Sequence, residues 1–147
     1  MMTDSTRITT SPQATRGVLV YVMGPSGAGK DAVIAEAHQI LYKNIHLRFA
    51  HRYVTRAETS PMEVALTRDE FANYKKNGLF ALDWQAHGLC YGVSNIINAH
   101  LAAGKTVVVN GSRAYLREAL ARYPGLLAVQ ISVSKALARE QIGRAHV

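Results

Sequence analysis

The stretch GVLVYVMGPSGAGKDAVIAEA, at residues 17–37, decides how the rest of the chain is organised. Its apolar residues 18–23 predict a strand that is buried in a sheet, and its residues from 32 onwards repeat apolar side chains at helical spacing. A glycine-rich loop joins the two segments. The stretch therefore predicts a strand that leads through a tight turn directly into a helix.

The loop reads GPSGAGKD at 24–31 and matches the phosphate-binding pattern G-x-x-x-x-G-K. Its glycines let successive N–H groups point inward, and the following helix adds the positive end of its dipole. Lys30 supplies a cation that can follow a phosphoryl group. A plain glycine-rich turn with a surface lysine is the alternative, but strand, loop and helix all agree with the motif. We expect nucleotide phosphates to contact Gly24, Pro25, Ser26, Gly27, Ala28, Gly29, Lys30, Asp31 and Ala32.

The composition indicates one globular domain, because the chain has 147 residues of which 48% are apolar and 18% charged. No apolar run approaches the roughly 20 residues that a membrane span needs. Residues 1–16 are polar, so we expect a disordered leader rather than a secretory signal. Cys90 is the only cysteine, which excludes an internal disulfide and favours a reducing, cytoplasmic compartment.

The net charge of +7 is compatible with nucleic acid, a membrane surface or phosphorylated small molecules as partners. The sequence has no block of Lys and Arg of the kind that indicates a nucleic-acid-binding arm. We therefore expect a phosphorylated small molecule as the partner, and neither nucleic acid nor a membrane.

Start and stop signals define the elements beyond the loop. Thr67 and Glu70 form a capping box for a helix over Arg68 to Lys76, which Gly78 ends. Residues 79–93 alternate around a His-Gly turn and predict a hairpin. We also predict strands over 45–50, 105–109 and 126–132 and helices over 94–103 and 112–123, with the 105–109 strand buried on both faces. The order β-α-β, an inserted α+β piece, then α-β-α-β-α predicts a three-layer α/β fold with a parallel sheet.

Two arginines, Arg52 and Arg56, follow the second predicted strand and precede a polar loop. Guanidinium groups bind phosphates through paired hydrogen bonds and stay charged at any working pH. Ordinary surface charge is the alternative. Because a phosphate-binding loop is present, we interpret the pair as a site for the phosphate of an acceptor substrate.

The chain resembles the guanylate kinase branch of the phosphate-loop kinases from about Val18 to Val133, and within that branch the ribose 1,5-bisphosphate phosphokinases. The resemblance rests on four motifs in the same order. They are GPSGAGKD, HRYVTR at 51–56, WQAHGLCYG at 84–92 and VVVNGSR at 107–113.

This resemblance implies a phosphate-loop kinase domain over 17–140 that uses ATP and Mg²⁺, with an acceptor-binding insertion at about 51–93. It implies that Lys30, Asp31 and Arg56 act in catalysis. Arg56 and Tyr91 match the positions that bind the acceptor phosphate in guanylate kinases. With residues that are added for their chemistry, such as the phosphate-binding donors Arg52, His87 and Arg113, the expected acceptor site consists of Arg52, Arg56, Asp83, His87, Tyr91, Asn110 and Arg113.

Differences from guanylate kinases bear on the acceptor. Those enzymes have a serine in place of Arg52, a glutamate in place of Asp83, and a strand ending D-x-D where Asn110 begins the tripeptide NGS. An arginine cannot accept hydrogen bonds from guanine, and each unpaired buried polar group costs ~1–3 kcal/mol. The resemblance thus implies phosphorylation of ribose 1,5-bisphosphate to 5-phosphoribosyl 1-diphosphate, in phosphonate catabolism. A guanylate-type nucleoside monophosphate kinase and a non-catalytic nucleotide-binding remnant stay open as alternatives.

Asp31 and Asn110 are the candidate magnesium ligands. Related enzymes use a hydroxyl on the loop and a carboxylate on a strand, so the two charges look exchanged here. The pair still carries one negative charge, and either oxygen suits a hard cation. Asp31 as a plain acid at a helix N-terminus, stabilised by the helix dipole, is an equal alternative.

The chain departs from the family in two places. Where the family has an acid and a histidine, it reads PMEVAL at 61–66, and Glu63 is the candidate acid. Related kinases continue with an arginine-rich lid and a last helix, so we expect a C-terminally truncated chain. Residues 141–147 do not resemble the family, and we expect them to be non-native.

Overall fold

The computed structural model describes residues 16–25 and 29–132. The expected leader before residue 16, the last predicted helix and the tail at 141–147 lie outside the described residues, as do residues 26–28 of the loop. Within the described ranges, no helix is long and apolar enough to cross a membrane.

Eight strands and four helices follow one another in this part of the chain, and a 3₁₀ turn at Arg113–Tyr115 precedes the last helix. In chain order they are β1 Leu19–Met23, α1 Lys30–Leu41, β2 Leu47–Phe49, β3 Arg52–Val54, β4 Glu63–Ala65, α2 Arg68–Lys76, β5 Phe80–Ala86, β6 Leu89–Ser94, α3 Ile96–Ala102, β7 Thr106–Asn110, α4 Leu116–Arg122 and β8 Leu127–Gln130.

The main sheet has the strand order β2-β7-β1-β8, and its strands all run parallel. This confirms the predicted α/β fold with a parallel sheet. Val22 near the end of β1 pairs in register with Asn110 at the end of β7. Gly24 and Pro25, which follow β1, therefore lie beside the segment that follows β7, at the carboxyl edge where open α/β sheets bind ligands.

The insertion folds as a second, mixed sheet with the order β4-β3-β6-β5. Strands β5 and β6 form the predicted antiparallel hairpin. Its turn residues His87 and Gly88 have φ angles of 54° and 76°, the left-handed conformation that a two-residue hairpin turn requires. Strands β3 and β4 are absent from the prediction, because three-residue strands are too short to show an alternating pattern.

Helix α2 begins and ends as the sequence predicts. The Thr67 side chain accepts a hydrogen bond from the Glu70 amide, and the Glu70 carboxylate accepts one from the Thr67 amide. Gly78, with φ 70°, ends the helix. The buried Phe71 packs against Phe80 with ring centroids 4.6 Å apart, so α2 is fixed to the hairpin.

One hydrophobic core extends through both sheets. Its largest fully buried side chains are Tyr21, Val54, Leu82, Val93, Ile97, Val107 and Val109. The prediction that β7 is buried on both faces is wrong, because Val108 is only half-buried. The reason is that Val108 faces a cavity between α1 and the insertion instead of a covering helix.

Candidate functional site

Lys30 is the first residue of α1 and only 8% exposed. The preceding Gly29 has φ 83°, which turns the chain into the helix. Lys30 Nζ donates to the Gly111 carbonyl oxygen at 3.2 Å. Burial, and then the charge of Arg52, lower the pKa of Lys30, while Asp31 acts in the opposite direction. The ammonium group thus lies where the loop meets the end of β7.

A cleft of about 250 Å³ opens in front of Lys30. Four cationic side chains line it together with His87, and among its described lining residues Asp31 is the only acid. This surplus of positive charge suits a ligand that has several phosphate groups. The described lining consists of Gly24, Pro25, Lys30, Asp31, Arg52, Arg56, Trp84, Ala86, His87, Tyr91, Gly111, Ser112 and Arg113.

A buried carboxylate joins the two arginines. Glu63 Oε2 accepts from Arg52 Nη2 at 2.7 Å, and its Oε1 accepts from Arg56 Nη2 at 2.5 Å. The Ser60 amide also donates to Oε1, at 3.1 Å. Burial raises the pKa of Glu63, but the hydrogen bonds from Arg52 and Ser60 and the arginine charge outweigh it, so this pKa lies below its ordinary value. Glu63 is therefore ionised and fully engaged.

Tyr91 packs against both arginines. Its ring stacks on Trp84 with centroids 5.8 Å apart and an interplanar angle of 12°. Arg52 Cζ lies 4.8 Å from the centre of the Tyr91 ring, and Arg56 Nη1 lies 3.4 Å from the Tyr91 hydroxyl. A cation over an aromatic face is an attractive arrangement that also fixes the guanidinium plane. The Tyr91 side chain therefore forms one wall of the arginine pair.

Asp31 and Asn110 also lie together. Asn110 Nδ2 donates to Asp31 Oδ1 at 2.8 Å. Asn110 Oδ1 is buried and has no hydrogen-bond partner within the described ranges. A carboxylate beside an unpartnered amide oxygen is a donor set of the kind that Mg²⁺ takes up, with water completing its shell, so these residues fit the ion. The described part of the chain has no group of three or more His, Cys, Asp or Glu residues that could hold a metal ion.

Two predicted acceptor residues do not line this cleft: Asn110 lines an adjoining cavity, and Asp83 lies on the other side of its strand. Asp83 Oδ2 pairs with Lys75 Nζ at 3.1 Å and lines a pocket beside α2. Successive residues of a strand face opposite sides of the sheet, and Trp84 and Ala86 of β5 face the cleft. Asp83 must therefore point away from it. The proposed equivalence with the guanine-binding glutamate does not fit this geometry.

A second cavity, of about 230 Å³, adjoins the cleft and shares Asp31 and Arg52 with it. Its wall is mainly apolar on the side of α1 and β2. Arg52 thus separates two spaces, one polar and cationic and one more apolar. The lining of the second cavity comprises Asp31, Ile34, Ala35, His38, Gln39, Phe49, Ala50, His51, Arg52, Ser60, Pro61, Met62, Glu63, Val108 and Asn110.

Two residues support the site in ways that the sequence does not reveal. In the sequence Glu63 is only the candidate acid of PMEVAL at 61–66, and nothing there indicates that it contacts two arginines. Tyr21 is completely buried in β1; its hydroxyl donates to the Ser112 carbonyl oxygen at 2.8 Å and accepts from the Ser112 amide at 2.9 Å. Burial raises the pKa of Tyr21 to about 12. This tyrosine fixes the Gly111–Ser112 segment that faces Lys30, and no sequence signal indicates it.

Known proteins resemble this chain closely, although no protein-family model matches it. It is 50% identical over 125 residues to ribose 1,5-bisphosphate phosphokinase PhnN of Burkholderia mallei, a match that covers 84% of this chain and 67% of the relative. The chain belongs to the ribose 1,5-bisphosphate phosphokinase family. The family's proteins of the same name from Desulfomicrobium baculatum and Achromobacter xylosoxidans are 47% and 42% identical, over 68% and 72% of their lengths and 85% and 93% of this chain. The resemblance read from the four motifs is confirmed.

A solved guanylate kinase from Anaplasma phagocytophilum has the same fold, with a TM-score of 0.64 at 15% sequence identity. The match covers 78% of this chain and 60% of that kinase. At this identity the likeness shows the fold alone. It confirms the predicted phosphate-loop kinase architecture, and the chain spans 60% of the length of that enzyme.

Proposed function

We propose that the chain transfers the γ-phosphoryl group of ATP to the 1-phosphate of ribose 1,5-bisphosphate, which gives 5-phosphoribosyl 1-diphosphate and ADP. One observation supports this above the others. The cleft that contains Lys30 is lined by Arg52, Arg56, Arg113 and His87, against Asp31 as its single described acid. An acceptor with two phosphates matches this charge, whereas a nucleobase does not use it.

In this reaction an oxygen of the 1-phosphate attacks the γ-phosphorus, and the bond from that phosphorus to the leaving ADP oxygen breaks. The acceptor is already anionic at neutral pH, so no strong general base is needed. The task of the protein is to align the two phosphates and to neutralise their charge. Lys30 and Arg56 serve this purpose at the transferred group. Arg52 borders both cavities and orients the far phosphate of the sugar.

Magnesium has a place in this proposal beside Lys30. Asp31 and the unpartnered amide oxygen of Asn110 would hold the ion, directly or through water. When bound there, it supplies further positive charge to the phosphates of ATP.

The guanylate-type alternative receives no support from the acceptor side of the cleft. Guanine presents hydrogen-bond donors that need acceptors, and each donor left unpaired costs ~1–3 kcal/mol. Asp83 is held by Lys75 outside the cleft, and Glu63 is saturated by Arg52, Arg56 and the Ser60 amide. The described cleft thus lacks a free carboxylate other than Asp31.

Release of ADP, measured with ribose 1,5-bisphosphate and separately with GMP, tests the proposal. We expect turnover with the sugar bisphosphate and none with GMP. Lys30→Met should abolish turnover of the sugar bisphosphate. Lys75→Met, which changes a 64% exposed side chain outside the cleft, should leave this turnover unchanged. Turnover of GMP alone would overturn the proposed acceptor. Turnover of neither acceptor, with ATP still bound, would contradict catalysis and favour a nucleotide-binding protein.

A further inference from the structure

We infer that Glu63 is a positioning residue, which holds Arg52 and Arg56 as one preformed pair for the phosphate of the acceptor. The identity of that acceptor rests on the proposed function. The positioning role itself rests on the contacts of the carboxylate. Glu63 has no direct part in the chemistry, because both its oxygens are already engaged by the protein.

The backbone brings the three side chains together in a fixed way. Arg52 of β3 and Glu63 of β4 are register partners in a parallel strand pair. Arg56 follows β3 in the loop, and its Nε donates to the Glu58 carbonyl oxygen at 2.9 Å. Glu63 therefore ties a strand residue and a loop residue to the same point. Its side chain is only 3% exposed, so water does not compete for the carboxylate.

Each arginine keeps donors for a ligand. Glu63 takes a single terminal nitrogen from each guanidinium group. Within the described ranges Arg52 makes no other side-chain hydrogen bond, and its Nε is buried without a partner. Arg56 Nη1 has only the long contact to Tyr91. Both arginines line the cleft that Lys30 also lines, so the terminal N–H groups that Glu63 leaves open can donate to a phosphate bound there.

Charge and orientation make opposite predictions for the loss of this carboxylate. If the site works by net charge alone, neutralising Glu63 makes the cleft more positive and phosphate binds more tightly. If Glu63 positions the arginines, its loss lets two cations beside Lys30 repel one another and Arg56, whose side chain is already 37% exposed, turns towards solvent. Binding of the acceptor then weakens although the site has become more positive.

Glu63→Gln and Glu58→Gln form a matched pair for this test. Both remove one negative charge from the same segment, but the exposed Glu58 side chain makes no ion pair with any described residue. Calorimetry should measure the affinity of each variant for ribose 1,5-bisphosphate and for ADP. We expect Glu63→Gln to weaken acceptor binding by about 10- to 100-fold, as the loss of a hydrogen-bond partner of a metal ligand typically weakens metal binding. ADP affinity, and both affinities of Glu58→Gln, should not change.

Tighter or unchanged acceptor binding by Glu63→Gln would overturn the inference. If that variant does not fold, Glu63→Asp decides, because the shorter carboxylate keeps the charge but does not span both arginines, and unchanged binding would again refute positioning. Nitrogen-labelled arginine provides a readout without any ligand. The Nε–H signals of Arg52 and Arg56 should be slow to exchange with water in the wild type and in Glu58→Gln, and fast in Glu63→Gln.

The two proposals fail in different ways. If the wild-type chain does not bind ribose 1,5-bisphosphate, the proposed acceptor is wrong, and the arginine signals alone decide the role of Glu63. If the acceptor binds but the arginine signals are the same in both variants, the positioning role is wrong and the proposed function stands.

Discussion

Arg52 and Glu63 face each other across the parallel pair β3 and β4, and Arg52 Nη2 donates to Glu63 Oε2 at 2.7 Å. Their side chains are 13% and 3% exposed, so this is an ion pair withdrawn from water. Such pairs add little net stability, but removing one partner leaves an uncompensated charge and is costly. We therefore expect the part of the cleft that Arg52 lines to be sensitive to pH and to substitution.

Acid should destabilise the fold through Glu63. Its pKa in the folded chain lies below the ordinary value, since the arginine and amide hydrogen bonds outweigh the effect of burial. A lowered folded pKa gives stability that is present above the unfolded pKa of about 4.3 and is lost as pH falls through the folded pKa. Urea unfolding from about pH 7 to about pH 3 should show a steeper loss below about pH 4.3 in the wild type than in Glu63→Gln. Parallel curves would contradict this.

As pH rises, nucleotide affinity should begin to fall at a lower pH than it would if Lys30 had the ordinary pKa of a lysine. Burial and the charge of Arg52 lower the pKa of Lys30, so its ammonium is lost at a lower pH than in a free side chain. Arg52→Met removes that charge and should move the alkaline limb of ADP binding to higher pH. Arg117→Met, at an exposed position of α4, is the control and should not move it. An unmoved limb in both variants would refute the coupling.

Gly111 should not tolerate a side chain. A Cβ there would lie 2.2 Å from Tyr21 Cζ, and Tyr21 is completely buried and holds the Ser112 backbone. Gly111→Ala should lower the free energy of unfolding by about 1–3 kcal/mol, as overpacking does. Gly125→Ala meets no atom within 4 Å and should stay within about 0.5 kcal/mol. Urea unfolding of both variants measures the difference. Equal stabilities would show that the Gly111–Ser112 segment can shift to accommodate the added side chain at no cost in stability.

A magnesium-binding role of Asp31 can be distinguished from a simple interaction with the helix dipole by comparison with Asp69. Asp31 and Asp69 each lie in the first turn of a helix, α1 and α2, but only Asp31 contacts Asn110. Loss of the dipole interaction costs both helices about 0.3–1 kcal/mol. Asp31→Ala should in addition remove much of the gain in ATP affinity that magnesium gives, and Asp69→Ala should not. An unchanged magnesium dependence in Asp31→Ala would leave Asp31 as a helix acid only.

Local signals predict those parts of the fold whose cause is local. The capping box at Thr67 and Glu70 and the His-Gly turn at 87–88 specify their elements through neighbours in sequence, and both occur as expected. The three-residue strands β3 and β4 have no such signal, because their pairing with β6 and with each other supplies their order. Strand β7 has the composition of a strand that is buried on both faces, but the burial of Val108 depends on which element packs above it.

In the candidate site, too, the sequence predicts the features that depend on neighbouring residues and misses those that depend on the folded chain. GPSGAGKD predicts where phosphates bind, because its glycines and the helix that follows act through the backbone and within a few residues. Asp83 matches the family glutamate in sequence but not in direction, since the side of the sheet that a residue faces follows from strand register. Two arginines four residues apart indicate a phosphate site but not what holds them.

By itself the sequence determined the strand before the glycine loop and the helix that begins at Lys30, the hairpin, the class of fold and the family. The tertiary structure alone decided that Glu63, from another strand, clamps Arg52 and Arg56 at 2.7 and 2.5 Å, and that Tyr21 fixes the segment facing Lys30. The physical reason is that backbone conformation and phosphate binding by a glycine loop are short-range effects encoded in consecutive residues. The direction and charge of an arginine depend on which groups the folded chain brings within hydrogen-bond distance of it.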